Sequence, residues 1–319
     1  MRCESEELQE QELQGHSPAY LCCVKAFAAV CQAAAIFIFA ERGLSMKVQR
    51  ILINIIIVLL VIIFLMCGYL VIDYFRESNT QQEQFNNLAS LVEQAQNPPS
   101  LPVENETTLP ADISDETAPT AETEGTESGG ILPEYAQLYE LNSDIVGWIK
   151  IDNTSINYPV MQTPDSKDYY LRRDFYKNYS SHGCIFVREE CDVSAPSDNI
   201  TIYGHHMRDG SMFSDLDDFT SYTFWEENGV FTFDTLTEHH AYQVFAVFKT
   251  TTSAGEGFAY HQFVDGTESE FNDFVATCQS LAFYDTGITP VYGDKIICLS
   301  TCEYSQANGR LVVAAVRIS

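Results

Sequence analysis

The sequence predicts a mainly β domain with one packed helix, carried behind a membrane-spanning helix. Three observations point there. An uncharged apolar run of 22 residues fills 51–72. An acidic, proline-containing stretch follows over 97–130. Between residue 133 and the C-terminus, about eight short β signals recur, separated by Gly, Asn, Asp and Pro clusters, the spacing of a barrel or sandwich.

The chain has 319 residues, enough for one or two domains at about 150 residues each. It carries 17 Lys+Arg against 45 Asp+Glu, a net charge of −28. Nucleic acid is therefore not an expected partner, because phosphate binding needs basic patches. The 20 Phe and 17 Tyr supply material for a packed core. Ten cysteines divide evenly, with Cys3, Cys22, Cys23, Cys31 and Cys67 before residue 70 and Cys184, Cys191, Cys278, Cys298 and Cys302 after it. Five cysteines in one domain cannot all pair, so at least one thiol there is free or pairs with another chain. No CxxC or Cys/His spacing suggests a metal, and no cofactor is expected.

The run "ILINIIIVLLVIIFLMCGYLVI" is long enough, at about 1.5 Å per residue, to cross a hydrocarbon core of about 30 Å as a helix. Arg42, Lys47 and Arg50 precede it and an acidic stretch follows, so the positive-inside bias puts the N-terminal side in the cytoplasm. Without a small-residue cleavage site after it, the run is expected to stay as an anchor over 46–76. Residues 1–45 allow two readings: a second apolar segment around 26–40, or an extension preceding a true start at Met46. Residues 77–131 are expected to be a polar, partly helical stalk and then an extended linker. Over 97–130 that linker has eight acids, five prolines and no Lys or Arg, which disfavours a core.

A folded domain is expected over 132–319. "PEYAQLYELN" reads as a short helix. The strands are "IVGWIKI", "INYPVMQ", "GCIFVRE", "NITIYG", "GVFTFDTL", "AYQVFAVFKTT", "KIICLSTC" and "RLVVAAVRI". Before the last two, "TESEFNDFVATCQSLAF" places apolar residues at 271, 274, 275, 278, 281 and 282, a helical period. Thr267 and Glu270 form its capping box.

The chemistry concentrates in "KIICLSTCEYSQANGRLVVAAVRIS". Asn308-Gly309 is a hairpin signal. If the flanking strands pair, Cys302 and Arg310 close the loop from opposite sides, about 5 Å apart. Alternation puts Ser300, Cys302 and Arg310 on one face, with Leu299 and Thr301 on the other. An arginine there favours thiolate over thiol and offers donors to an oxyanion. Cys298 shares that parity but lies deeper in the apolar strand and reads as packed core. From this stretch alone Cys302 reads equally as a nucleophile or a packed residue. A thiol nucleophile needs an imidazole, and "NITIYGHHM" puts His205 directly after a strand and a glycine.

"YGHHM" followed by "LSTCEYSQANGR" resembles the sortases, membrane-anchored cysteine transpeptidases of Gram-positive cell surfaces. "INYPV", "GHHM" with "GSMF", "KTTT" and Ser-Thr-Cys-Glu are similar to class B in particular. The resemblance implies a sortase-like eight-stranded β-barrel, with an N-terminal helix and one further helix before the catalytic strand. It implies Cys302 as nucleophile, His205 as acid/base and Arg310 as the group holding substrate and oxyanion. Asn157, Met161, Tyr203, Thr252, Ser300 and Glu303 fall at class B positions that line the groove for the sorting signal. The implied partners are surface proteins bearing a sorting signal of the Asn-Pro-x-Thr type, and an amine of peptidoglycan or of its lipid-linked precursor. Two other readings stand beside it. "SSHGCIF" resembles the Ser-x-Gly-Cys signature of L,D-transpeptidases, which would make Cys184 the nucleophile beside His182, although "CIFVREE" runs on as a strand without that family's local sequence. A non-catalytic surface domain on a stalk is the other.

Overall fold

The computed structural model describes residues 46–97, 130–253, 256–305 and 308–319. The readings of residues 1–45 and of the acidic linker over 98–129 lie outside the described residues.

The chain begins with α1, Met46–Gln96, a single helix of 51 residues. By length and composition its N-terminal part suffices to cross a membrane. Side chains there, such as Ile53, Phe64 and Leu65, are exposed. Its second half behaves differently from the expected polar stalk. Gln81, Phe85, Leu88 and Val92 recur at helical spacing and are buried, and the Phe85 ring meets Tyr158 edge-on at 5.0 Å. That stripe packs on the first helix of the domain, α2 (Pro133–Leu141), and on strand β2 (Asn157–Met161). A mostly polar helix with one apolar stripe is stabilised by what the stripe covers. Residues 77–96 therefore belong to the folded unit.

The other strands are β1 (Ile145–Lys150), β3 (Ile185–Val187), β4 (Asn199–Tyr203), β5 (Val230–Thr235), β6 (Ala241–Thr251), β7 (Ile296–Glu303) and β8 (Gly309–Arg317). They close a barrel in the order β1-β2-β3-β4-β7-β8-β6-β5. All eight occupy the expected segments. Neighbours are antiparallel except β2/β3 and β4/β7. A short helix α3 (Tyr222–Asn228), absent from the expectation, precedes β5. Helix α4 (Glu268–Leu281) carries the expected capping box between Thr267 and Glu270.

Strand alternation divides the core in two. Ile297, Leu299, Leu311 and Val313 point into the barrel. Cys298, Val312 and Ala314 point outwards, where Phe271, Phe274, Val275 and Cys278 of α4 cover them. The C-terminal end of β7, beyond α4, is left for the site.

Candidate active site

β4 and β7 run side by side in parallel, and their last registered pair is Tyr203 with Ser300. The Gly204 N–H donates to the Ser300 carbonyl at 3.1 Å, and the Thr301 hydroxyl donates to the Gly204 carbonyl at 2.9 Å. Glycine is required at 204 by close approach: an added Cβ would lie 2.6 Å from both Ile185 and Phe213. One residue later β4 has ended, and His205 emerges beside the level of Cys302. The Phe213 N–H donates to the His205 carbonyl at 2.9 Å and pins the departing loop.

On the other side of β7, Cys302 is directly opposite Arg310 on β8. Arg310 in turn faces Thr250 on β6. The hairpin turn leaves at Asn308, whose φ of 51° is left-handed, as an Asn-Gly signal allows. Arg310 donates to the Gly309 carbonyl at 2.8 Å, which holds its guanidinium over the end of the strand. His205, Cys302 and Arg310 line one cleft of about 680 Å³.

The His205 Nε2 lies 2.8 Å from the Leu171 carbonyl. A carbonyl only accepts, so Nε2 carries a proton and Nδ1 is the nitrogen left to exchange one. Burial pushes the His205 imidazole below its ordinary value. The Leu171 carbonyl opposes this, while the cations of Arg172 and Arg310, with His182, add to it. Cys302 is half-buried. The other cysteines of the domain are buried: burial raises Cys184 and Cys298 well above an ordinary thiol and pushes Cys191 up to about 11.

The remaining expected residues fall into two groups. Tyr203, Thr252 and Ser300 line the cleft with the trio. Burial pushes the Tyr203 phenol up to about 12. Ser300 is fully buried, and its hydroxyl shares a 2.6 Å hydrogen bond with Tyr260. Thr252 donates twice to the Asn308 carbonyl, from its N–H at 3.1 Å and its hydroxyl at 3.3 Å. Asn157, Met161 and Glu303 are not brought to the cleft wall. Asn157 accepts the Trp148 indole N–H at 2.6 Å, and Met161 is sealed inside the barrel. Glu303 pairs with Lys249 at 2.8 Å and accepts from Ser305. Cys184 is buried in the main core, its N–H donating to the Tyr170 carbonyl at 3.0 Å. His206 lies off the cleft, 3.7 Å from Asp217 and edge-on to the Tyr304 ring at 5.5 Å. Sequence reasoning missed Leu171 and Tyr260. A backbone carbonyl leaves no mark in the sequence, and Tyr260 is one tyrosine among 17.

Among the described residues no group of His, Cys, Asp and Glu could hold a metal ion. The sequence profile of the Sortase domain matches residues 149–318. Sortase B of Staphylococcus aureus is 33% identical over 187 residues, covering 58% of this chain and 75% of that protein. Sortase B of Listeria monocytogenes is 32% identical over 188 residues, covering 58% and 74%. The Staphylococcus aureus sortase B–substrate complex superposes with a TM-score of 0.61 at 25% identity, covering 76% of this chain and 99% of that one. Bacillus anthracis sortase B in complex with AAEK1 gives 0.59 at 28% identity, covering 77% and 99%. A family domain spanning more than half of the chain, a shared closed barrel and relatives of one class place this chain in the sortase family, as a class B cysteine transpeptidase.

Proposed function

We propose that the chain is a membrane-anchored transpeptidase that cuts a C-terminal sorting signal of the Asn-Pro-x-Thr type after Thr and joins the protein to a peptidoglycan amine. One observation carries the assignment of roles. Cys302 and Arg310 are a cross-strand pair, and His205 leaves the parallel neighbour strand into the same cleft.

In this reading the Cys302 thiolate attacks the Thr carbonyl carbon. Arg310 steadies the tetrahedral oxyanion. The C–N bond breaks as the His205 imidazolium gives its proton to the leaving amine. The resulting thioester waits for an amine from a peptidoglycan stem, a cross-bridge or a lipid-linked precursor. That amine attacks the same carbon, His205 takes its proton, and the C–S bond breaks to return the thiolate. Splitting the reaction lets an amine replace water as acceptor.

Tyr203 and Thr252 are assigned to the peptide, with Ser300 acting together with Tyr260. Glu303 is assigned through the hairpin loop it braces, and Asn157 and Met161 from behind the wall. The anchor spans the membrane once over 51–72, with the N-terminal side cytoplasmic and the catalytic domain outside, in line with the basic residues before the span and the acidic chain after it. Residues 98–129 are assigned to an acidic linker segment. The decisive assay is cleavage of a fluorogenic Asn-Pro-x-Thr peptide in the presence and absence of an amine acceptor. Cys302→Ala is expected to be silent and Cys184→Ala active. The reverse pattern would sink the assignment.

A further inference from the structure

The turn of α1 just past the apolar run touches the two loops that hold His205. One is the segment 162–184 between β2 and β3, which contains Leu171. The other is the loop after β4, four residues beyond His205, at Asp209. Glu77 of α1 accepts from the Ser181 N–H at 2.8 Å, and Ser78 donates to Asp209 Oδ2 at 2.6 Å. That oxygen also lies 2.9 Å from Nε2 of His182, whose side chain is 2% exposed. The second Asp209 oxygen accepts from the Ser211 N–H at 3.0 Å and its hydroxyl at 2.6 Å. The chain continues inward from His182. The Cys184 N–H donates to the Tyr170 carbonyl at 3.0 Å, Ser180 N–H to the Arg172 carbonyl at 3.1 Å, and Arg172 to the Ser181 carbonyl at 3.2 Å. These bonds clamp the segment 170–172 that presents the Leu171 carbonyl to His205.

We propose that His182 and Asp209 are positioning residues for His205, and that the turn of α1 at Glu77–Ser78 is their third support. The helix that leaves the apolar span is then part of the frame of the active site. The buried His182 imidazole, held by a partly exposed carboxylate with both oxygens occupied, is a stiff joint, because removing Asp209 leaves the imidazole buried without that partner. Asp209 fits this. Burial alone would raise its carboxyl, yet His182, Ser211 and Ser78 outweigh it and hold the group well below the usual carboxylate range. Between Asp73, at the end of the span, and Ser78 the helix rises only about 8 Å. The joint therefore couples the catalytic loops to the anchor with little slack.

The proposal rests on reading His205 as the acid/base, and its test separates the two. Full-length protein in detergent micelles is labelled with ¹⁵N-histidine, and NMR reads the tautomer and midpoint of His205, with Arg172, His182 and Arg310 as the charges that face it. In parallel, kcat and KM are measured on the Asn-Pro-x-Thr peptide. Wild type is expected to show the Nε2–H tautomer and a depressed midpoint. In Asp209→Ala the tautomer signal becomes mixed, as the Leu171 carbonyl is no longer held against Nε2. Its kcat falls on the order of 10- to 100-fold at unchanged KM, the scale of a misplaced catalytic group. Asp209→Asn, which keeps an acceptor oxygen for His182, restores most of kcat. Ser78→Ala shows the same changes, smaller. Unchanged His205 signals and kcat in Asp209→Ala and Ser78→Ala overturn the proposal. So does an equal loss in Asp209→Ala and Asp209→Asn that follows melting temperature alone. If Asp209→Ala does not fold, Ser78→Ala and Asp209→Asn decide by the same spectra. A silent wild-type peptide assay counts against the sorting-signal reading only, because the NMR comparison needs no substrate.

Discussion

Cys298 and Cys302 lie four residues apart on β7, and strand parity points them to the same side. Their surroundings differ completely. Cys298 is sealed beneath α4 with Phe271, Cys278 and Ala314, and burial raises its thiol well above an ordinary cysteine. Cys302 is half-buried at the rim, across from Arg310 and in one cleft with His205. The difference comes from where the neighbours stop. β4 ends at Tyr203 and α4 covers only the deeper part of β7, so the last turn of the strand is open to a substrate. In the proposed assignment reactivity is a property of the end of a sheet, set by which side chains the neighbouring strands and loops bring to it.

That contrast can be broken by mutation. Cys302→Ala is expected to lower transpeptidation on the order of 10⁴-fold or more, as loss of a nucleophile does, whereas Cys298→Ala leaves kcat intact. Next in size is Arg310→Lys, expected to cost about 10²- to 10³-fold in kcat, since lysine lacks the planar fork that holds an oxyanion. A loss confined to KM would reassign Arg310 to ground-state binding. Alkylation of the native protein with iodoacetamide, read by peptide mass spectrometry, is expected to modify Cys302 and to spare Cys184, Cys191, Cys278 and Cys298. Labelling of Cys298 at a similar rate would erase the contrast.

Two smaller effects concern stability. Cys298→Ala is expected to cost about 1 kcal/mol, by removing one heavy atom from a packed site, measured by denaturant titration. Lys249→Met, beside the rim, is expected to cost only about half a kcal/mol, because Lys249 is partly solvated. Burial would raise the Glu303 carboxyl, but Lys249 and Ser305 lower it overall. A lowered carboxylate contributes stability above its unfolded value, about 4.3, and loses it as pH falls through the lower folded value. The gap between wild type and Lys249→Met should therefore close on acidification. A gap that widens below that value would contradict this sign.

The strands were legible because each is short, apolar and bounded by turn residues, and because Asn308 marks the end of the loop that returns β7 to β8. Once that register is given, the Cys302–Arg310 pair follows from alternation alone. The amphipathic stripe of Phe85, Leu88 and Val92 was equally written in the sequence, but the surrounding Gln, Asn and Glu residues masked it, and 77–96 read as a stalk. Met161 and Asn157 show the opposite limit. Their places in a motif say nothing of which way the side chains point, and one is turned into the barrel while the other is bonded to Trp148.

The sequence by itself determined the apolar span, the eight strands, the capped helix before β7 and the pairing of Cys302 with Arg310. All of these are local, decided by hydrophobic period, turn residues and a hairpin between adjacent strands. The approach of His205 to Cys302 was not local, since about a hundred residues separate them. It depends on β4 and β7 lying parallel, on Gly204 being small enough to pass Phe213, and on the Leu171 carbonyl holding the ring. The seating of α1 on the loops around His205 has the same character. Each of these contacts joins chain segments that meet only when the barrel closes, and no periodicity within one segment encodes its partner.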